Sequence, residues 1–518
     1  MTGRRRWLSL AALAAVLGGV VLGESVASVL RICDWQLEPS SLNPTQVFDA
    51  KTDTILHQML EGLVQFQPDG KLEPALAVSW ERLDPLRMRF QLRAGVRFHN
   101  GEPMDAESVR FSFATYLDPA TRFPGYAVIR NIARVDVEGP GTVVVVTHSP
   151  DSLLLSRLAG VVRILPRAYY EKVGPQDFAG TPVGTGPFRF SRRVPGKFIA
   201  LEANRDYWRK GYPLLTGLEF HFLPFDRQLG ALLKGEVDLI TELPGTRTID
   251  VARNPRTRVL KNSAFWTIYG SMNTTRKPLS DLRVRQALNY ALDRGELIRL
   301  EAMGNGRPVA SLSMQGEAGH NPELAVYPYD PARARRLLKE AGYPKGFELQ
   351  LLSVAARAAQ VVAGQFAEIG VRVRVIQTDA AQMIGDVARL KPDIFLTSCP
   401  DPLYDASFIE WAACSSESPF SVVRDPVFDK KLGEVATTLD PTSRDKLARE
   451  LDAYIHDQAL CLFTFQRVRT LGLDRRVQFV PSLSDMHRFM TTSFSASAST
   501  AGFSTQPSVP AKHGATSP

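Results

Sequence analysis

The sequence predicts an α/β protein with mixed β-sheets, divided into two or three lobes. Apolar strands and amphipathic helices alternate along most of the chain, a βα pattern that calls for sheets covered by helices. The 518 residues are too many for one hydrophobic core. Several helices also carry clear punctuation, with an aspartate before the first turn and glycine just past the last.

Taken in order, Met1 to Ala27 reads as a cleaved export signal. It has Arg4, Arg5 and Arg6, an uncharged apolar run from Trp7 to Gly23, then small residues at Ser25-Val26-Ala27. The alternative is an uncleaved anchor, because the apolar run is nearly long enough to span a bilayer. Gly3 to Leu8 is also similar to a twin-arginine signal. Cys33 follows Leu30-Arg31-Ile32 and lacks the small residue that lipid attachment expects. Arg31 to Gln36 reads as a short strand, Thr52 to Leu63 as an amphipathic helix, and Val64 to Glu81 as strand and turn.

Phe90 to Phe113 is the most legible stretch. Phe90 and Leu92 alternate with Gln91 and Arg93, Gly95 allows a turn, and Val96 and Phe98 resume the alternation. Asn100-Gly101 is a tight-turn pair. Asp105 caps a helix with Met104 and Val109 as its staple and Val109, Phe113 and Tyr116 as its apolar stripe.

Further on, Val143 to Val146 is a buried strand and Ser152 to Leu158 a short helix. The Gly/Pro cluster at Gly180 to Phe190 marks a change of direction. Asp226 is placed to cap a helix that Gly235 ends, and a strand begins in "GEVDLI". Asp281 opens a helix with Val284, Leu288 and Leu292 on one face. Asp330-Pro331 opens another, closed by Gly342. Ile369 to Ile376 supplies a strand. Ile394 to Thr397 is a strand leading into a Pro-interrupted loop that holds Asp401 and Asp405 beside Tyr404, Phe408 and Trp411. Pro-Asp-Pro is good turn chemistry, so these residues also read as a plain turn with core aromatics. Thr491 to Pro518, rich in Ser, Thr, Ala and Pro, reads as a disordered tail.

Composition excludes several functions. The chain is 44% hydrophobic and 22% charged, as a globular protein is, and its formal net charge of +8 is mild for the size. No dense Lys/Arg stripe with interleaved aromatics exists, which argues against nucleic acid. Eight histidines stand singly; His57 and His221 read as solvent-facing or locally bonded. No G-x-S-x-G elbow, H-E-x-x-H or P-loop occurs, so neither catalysis nor a cofactor is expected. The four cysteines allow three pairings. Four buried thiols are the leading reading, and Cys399 with Cys414 the favoured pair if one forms. Without CxxC or Cys/His spacing, a metal site is not expected.

Leu92 to Phe113, "LRAGVRFHNGEPMDAESVRFSF", closely resembles the signature region of the family 5 extracellular solute-binding proteins, which feed peptide, nickel and related ABC importers. The "EGLV" and "LAVSWE" segments, "GTGPF" near Gly184, Leu201 to Pro224, Asn273 to Arg294 and Tyr329 to Phe347 resemble further family blocks in the same order. The resemblance implies a three-lobe periplasmic binding protein of the Venus-flytrap type with an extra inserted domain. Lobe I would comprise 28–68, 179–270 and a return over 465–490. Lobe II, 69–178, would be inserted in it, and lobe III would be 271–464. Residues 1–27 would be the signal peptide and 491–518 the tail. By the same resemblance, the protein is a periplasmic monomer. Its lobes would close on a short peptide and deliver it to an ABC permease complex in the inner membrane. Nickel chelates, opines or sugars are the alternative ligands, and an exported hydrolase the rival class.

The resemblance also implies site residues. In oligopeptide-binding members, a strand ending in Cys-x-Asp is followed six residues later by Ser-Phe, and the Asp holds the peptide's ammonium. Cys399-Pro400-Asp401 and Ser407-Phe408 keep that spacing. Ser398 and Pro402 depart from it, and Tyr404 and Asp405 stand as substitutes. Tyr269 matches a cleft aromatic, or is a core tyrosine. Tyr126 lies where a second-lobe tyrosine reaches the ligand. Arg357 matches a carboxylate-holding arginine, or is solvated. Trp35 on the first strand completes the set.

Overall fold

The computed structural model describes residues 28–35, 37–379 and 382–495. The expected export signal lies outside those residues, as does the expected tail beyond Ser495.

Three sheets organise the chain. The first has seven strands in the order Thr257–Asn262, Arg469–Asp474, Leu239–Ile240, Val29–Cys33, Gly217–His221, Phe198–Ala203 and Phe188–Val194. Val29–Cys33 runs parallel to both its neighbours, and the other pairings are antiparallel, so the sheet is mixed. The second sheet is antiparallel and four-stranded, ordered Ala77–Asp84, Arg87–Leu92, Thr142–Thr147 and Ile132–Gly139. The third has six strands in the order Gly306–Pro308, Cys461–Arg467, Trp266–Met272, Ile394–Pro400, Glu348–Ser353 and Arg372–Gln377. Glu348–Ser353 is parallel to both its neighbours there.

The chain passes between the first and third sheets twice, through residues 263–265 and back at Val468. The boundaries expected at 270/271 and 464/465 therefore fall inside paired strands. Tyr269 is still paired with Thr397 and Phe463, and Phe465 with Ile268. Two adjacent strand exits of this kind form a natural hinge.

Local expectations hold where side chains dictate backbone. Phe90, Val109, Phe113 and Tyr116 are all buried. Asp105 accepts from the Ser108 N–H at 2.8 Å. Val96 and Phe98 are buried as expected, but the second strand there shrinks to one bridge, Arg97 to Pro103. The turn explains it: Gly101, at φ +88°, donates to the Phe98 carbonyl at 2.8 Å and leaves no room for a longer ladder. Asp281 and Asp330 cap their helices as expected. Asp226 does not. The helix Phe225–Lys234 starts after Pro224, so Asp226 sits in the first turn, where its charge still favours the positive helix end.

The expected tail is ordered at its start, since Ser493–Phe494 pairs with Val477–Gln478 and Phe494 lies under the Arg476 guanidinium. His57 is buried against Arg163 rather than solvent-facing, and burial and that guanidinium hold its imidazole well below its usual range. No disulfide joins the four cysteines in this structure. The sulfur nearest Cys414 is that of Cys461, at 3.5 Å, not that of Cys399.

One apolar core runs from the second sheet into the third, joining Phe90, Phe113 and Leu158 to Tyr269, Leu396 and Phe463. A separate core lies under the first sheet, around Leu30, Phe188, Phe220 and Leu473. The units are packed shut on each other. Tyr404 meets Phe66 at 4.5 Å between ring centroids, and a Cβ on Gly160 would stand 2.7 Å from the Pro402 carbonyl oxygen. Gly160→Val should therefore prop this contact open. We expect roughly 10- to 100-fold weaker ligand binding, from about 1–3 kcal/mol of overpacking felt only when closed, and a larger radius of gyration by X-ray scattering. Wild-type values for both would show that the contact does not control closure.

Candidate functional site

The candidate site lies where the chain crosses between sheets. On the third-sheet side, the strand Ile394–Pro400 ends in the loop Asp401–Asp405. Asp401 is fully buried. Its N–H donates to the carbonyl of Phe265, in the crossing segment, at 2.8 Å. Its two carboxylate oxygens accept from the N–H groups of Leu403 at 2.8 Å and Asp405 at 2.6 Å. These bonds fold the loop into an Asx-type turn, so the plain-turn reading of the sequence describes part of what Asp401 does.

Glu317 lies against Asp401, and its own Oε2 accepts from the Met314 N–H at 2.6 Å. Burial pushes the Asp401 carboxyl up to about 8, with the nearby Asp405 charge adding to the rise. Burial and the Asp401 charge push Glu317 well above the usual carboxylate range. Two carboxyls this close and this dry hold a proton between them. Among the described residues, Glu317 Oε1 has no hydrogen-bond partner.

Tyr404 adopts φ +57°, strained for a non-glycine, and its hydroxyl donates to Ser484 Oγ at 3.0 Å. Asp405 is engaged structurally, capping the helix Ala406–Cys414 and pairing with Arg444 at 2.9 Å. The Cys399 thiol donates to the Pro400 carbonyl at 3.3 Å, and burial pushes it up to about 12, so it stays protonated. Tyr269 is a buried core residue ringed by the thiols of Cys399, Cys461 and Cys414. Tyr126 is 43% exposed at the start of the short helix Tyr126–Ile129. Arg357 is exposed on the helix Ala356–Glu368, near Glu301. Neither of these last two is enclosed with the Asp401 loop.

On the first-sheet side, the parallel strands Val29–Cys33 and Leu239–Ile240 point their carboxyl ends at the same junction, the usual ligand crevice of open α/β sheets. Asp34, Trp35 and Glu242 follow those strands, and Lys51 opens the helix Ala50–Met59. Lys51 Nζ stands 3.1 Å from Asp34, 3.6 Å from Asp485 and 3.7 Å from Glu242. Arg469 pairs with Asp485 at 3.0 Å and also with Glu242. Its guanidinium lies 4.8 Å from the ring centre of Trp266. Trp35 packs edge-on against Phe225 at 5.5 Å, with Lys51 over its ring at 6.0 Å.

Burial alone would raise Glu242 and Asp485, but Arg469 and Lys51 hold both below the usual carboxylate range. The buried Nε1 of Trp266 and Nε of Arg469 donate to no group among the described residues.

The two sides adjoin. Trp266 pairs with Pro400, the residue before Asp401. A carboxyl pair able to take a cation thus sits beside a cationic and aromatic face able to take an anion. Sequence reasoning named Asp401 but not Glu317, and of the second face only Trp35. Its members come from six separate segments, and only the paired arginines of Arg467-Val468-Arg469 could have signalled it. Among the described residues, no group of three His, Cys, Asp or Glu side chains could hold a metal ion, and no helix is long and apolar enough to cross a membrane.

Mixed sheets joined by two adjacent crossings, with buried charge gathered at the junction, define a hinged solute-binding protein. The comparisons give the family. The chain belongs to the bacterial extracellular solute-binding proteins, family 5, whose middle-region profile matches residues 71–419. It is 31% identical over 399 residues to a glutathione-binding protein of Pectobacterium atrosepticum, covering 75% of this chain and 76% of the relative. It is 30% identical over 357 residues to the glutathione-binding protein of Salmonella typhimurium, covering 67% and 69%. The ABC transporter-associated periplasmic binding protein DppA of Helicobacter pylori, in complex with the peptide STSA, superposes with a TM-score of 0.80 at 23% identity, covering 90% and 98% of the two chains. NikA of Brucella suis, in complex with Fe(III)-EDTA, superposes at 0.81 with 21% identity, covering 90% and 100%. Both structures share the three-sheet fold. The protein is an extracytoplasmic binding protein and not an enzyme.

Proposed function

We propose that this protein captures a short peptide, of about the size of glutathione, and hands it to an ABC permease in the membrane. The first and third sheets belong to the two closing lobes, with crossings at 263–265 and Val468, and the second sheet to the inserted lobe. Met1 to Ala27 serves as the export signal. The observation that carries the reading is the buried Asp401–Glu317 pair beside the Arg469–Trp266 face. A peptide ammonium replaces the shared proton at Asp401, and a peptide carboxylate faces the unpartnered donors of Trp266 and Arg469. Water-free charged hydrogen bonds of this kind are strong. The glutathione-binding relatives support a ligand with one ammonium and two carboxylates.

The pair makes capture pH-dependent. An ammonium needs ionised Asp401, whose carboxyl is held up to about 8 in the empty protein. Affinity should therefore fall as pH drops below about 8, by up to roughly tenfold per pH unit, with one proton released per peptide bound. Stability of the empty protein runs the opposite way. The folded state binds the extra proton, so stability falls as pH rises from the ordinary aspartate value of about 3.9 through about 8. Calorimetric titration of short peptides, glutathione included, in buffers of different ionisation enthalpy measures the released proton. Tight binding with no proton release would remove the carboxyl pair from the site, and no binding of any short peptide would overturn the ligand class.

A further inference from the structure

We infer that Cys414 and Cys461 are joined by a disulfide in the exported protein. Their sulfurs stand 3.5 Å apart, and both residues are fully buried. Cys414 ends the helix Ala406–Cys414, and Cys461 begins the strand Cys461–Arg467. The two elements are already fixed to each other through the intervening strand. Ser271 pairs with Cys461, and its hydroxyl donates to the carbonyl of Ala413 at 2.7 Å. Closing the gap to a bond of about 2.05 Å is a movement on the scale of the side chains alone. The remaining cysteines are otherwise placed: Cys33 lies in the first sheet, and Cys399 donates to its own neighbour's carbonyl.

The compartment supplies the oxidant. Family members work outside the cytoplasm, where protein-disulfide oxidants keep cysteine pairs oxidised. One cysteine thiolate attacks the oxidant's disulfide and forms a mixed disulfide. The second thiolate then displaces the oxidant as a dithiol. Two electrons and two protons leave the protein, and one sulfur–sulfur bond forms. Burial pushes the Cys414 thiol well above its usual value, so the folded thiol is a poor nucleophile. The bond therefore forms during folding, before the helix docks, and afterwards resists external reductants.

The consequence is mechanical. The helix that follows the Asp401–Asp405 loop becomes covalently tied to the strand that crosses back at Val468. The loop and the hinge then move as one body. This inference rests on the extracytoplasmic location and not on the identity of the ligand.

The test uses the full-length exported protein. It is recovered without reductant, unfolded in N-ethylmaleimide, digested and analysed by mass spectrometry. The expected result is one species joining the Cys414 and Cys461 peptides, lighter than the two thiols by two hydrogens, with Cys33 and Cys399 alkylated. Alkylation of both Cys414 and Cys461, or a Cys399–Cys414 link, overturns the proposal. As a second reading, a phosphine reductant applied during unfolding should lower the thermal midpoint of the wild type and leave Cys414→Ala unchanged. An equal response in both would also overturn it.

Discussion

Asp401→Asn should cost at least about 30-fold in peptide affinity, and up to about 1,000-fold, with little change in fold. Removing one partner of a buried charged hydrogen bond typically costs about 2–4 kcal/mol. The asparagine oxygen can still accept from the Leu403 N–H, which the aspartate holds at 2.8 Å, but its NH2 cannot accept from the Asp405 N–H, so about 1–3 kcal/mol of stability is lost along with the charge. Asp401→Ala removes the acceptors of both Leu403 and Asp405. It should lose binding and also about 1–3 kcal/mol of stability, the cost of leaving buried donors unpaired. Glu317→Gln separates the roles further. It keeps a neutral group beside Asp401 and leaves that carboxyl buried, so binding should survive and its fall below about 8 should be retained. Titration of the three variants by calorimetry checks the set. An Asp401→Asn protein that binds like wild type would place the ammonium elsewhere.

Arg469→Ala should be the most destabilising single change at the junction, by about 3–5 kcal/mol. It leaves Asp485 and Glu242 buried with Lys51 as their nearest cation, at 3.6 and 3.7 Å. Urea unfolding should show a lower midpoint with a similar slope. The pH dependence gives a second signature. In the wild type, Asp485 and Glu242 are held below their ordinary values by Arg469 and Lys51. Their contribution is present above the ordinary carboxylate range, near 4, and is lost as pH falls through their folded values. Without Arg469 that acid-sensitive increment should shrink. A midpoint within about 1 kcal/mol of wild type would mean that water or a rearranged partner replaces the guanidinium.

How far the sequence revealed this architecture depended on range. Features set within one turn or one hairpin were legible: the Asn100-Gly101 turn, the Asp105, Asp281 and Asp330 caps, and the buried stripe of Val109, Phe113 and Tyr116. Asp226 failed as a cap because Pro224 already fixes the chain for helix entry two residues sooner. The lobe edges near 270 and 464 were drawn inside strands because pairing with Thr397 and Ile268 is invisible to local pattern.

The site divided along the same line. Asp401 could be singled out because its motif, Cys399 to Phe408, is contiguous, whereas Glu317, which lies against it, comes from another segment. Lys51, Glu242, Arg469 and Asp485 were not, because each looks like an ordinary surface charge until the fold buries them together. Tyr126 and Arg357 were placed through family positions alone, and here those positions are exposed. His57 was misjudged for a related reason, since its partner Arg163 comes from a distant segment.

The most direct test of the peptide-capture account is native mass spectrometry of the exported protein, purified without refolding, beside its Asp401→Asn variant. The account predicts added masses that fit short peptides on the wild type and a bare variant. One uniform non-peptide mass, retained in the variant, would contradict it.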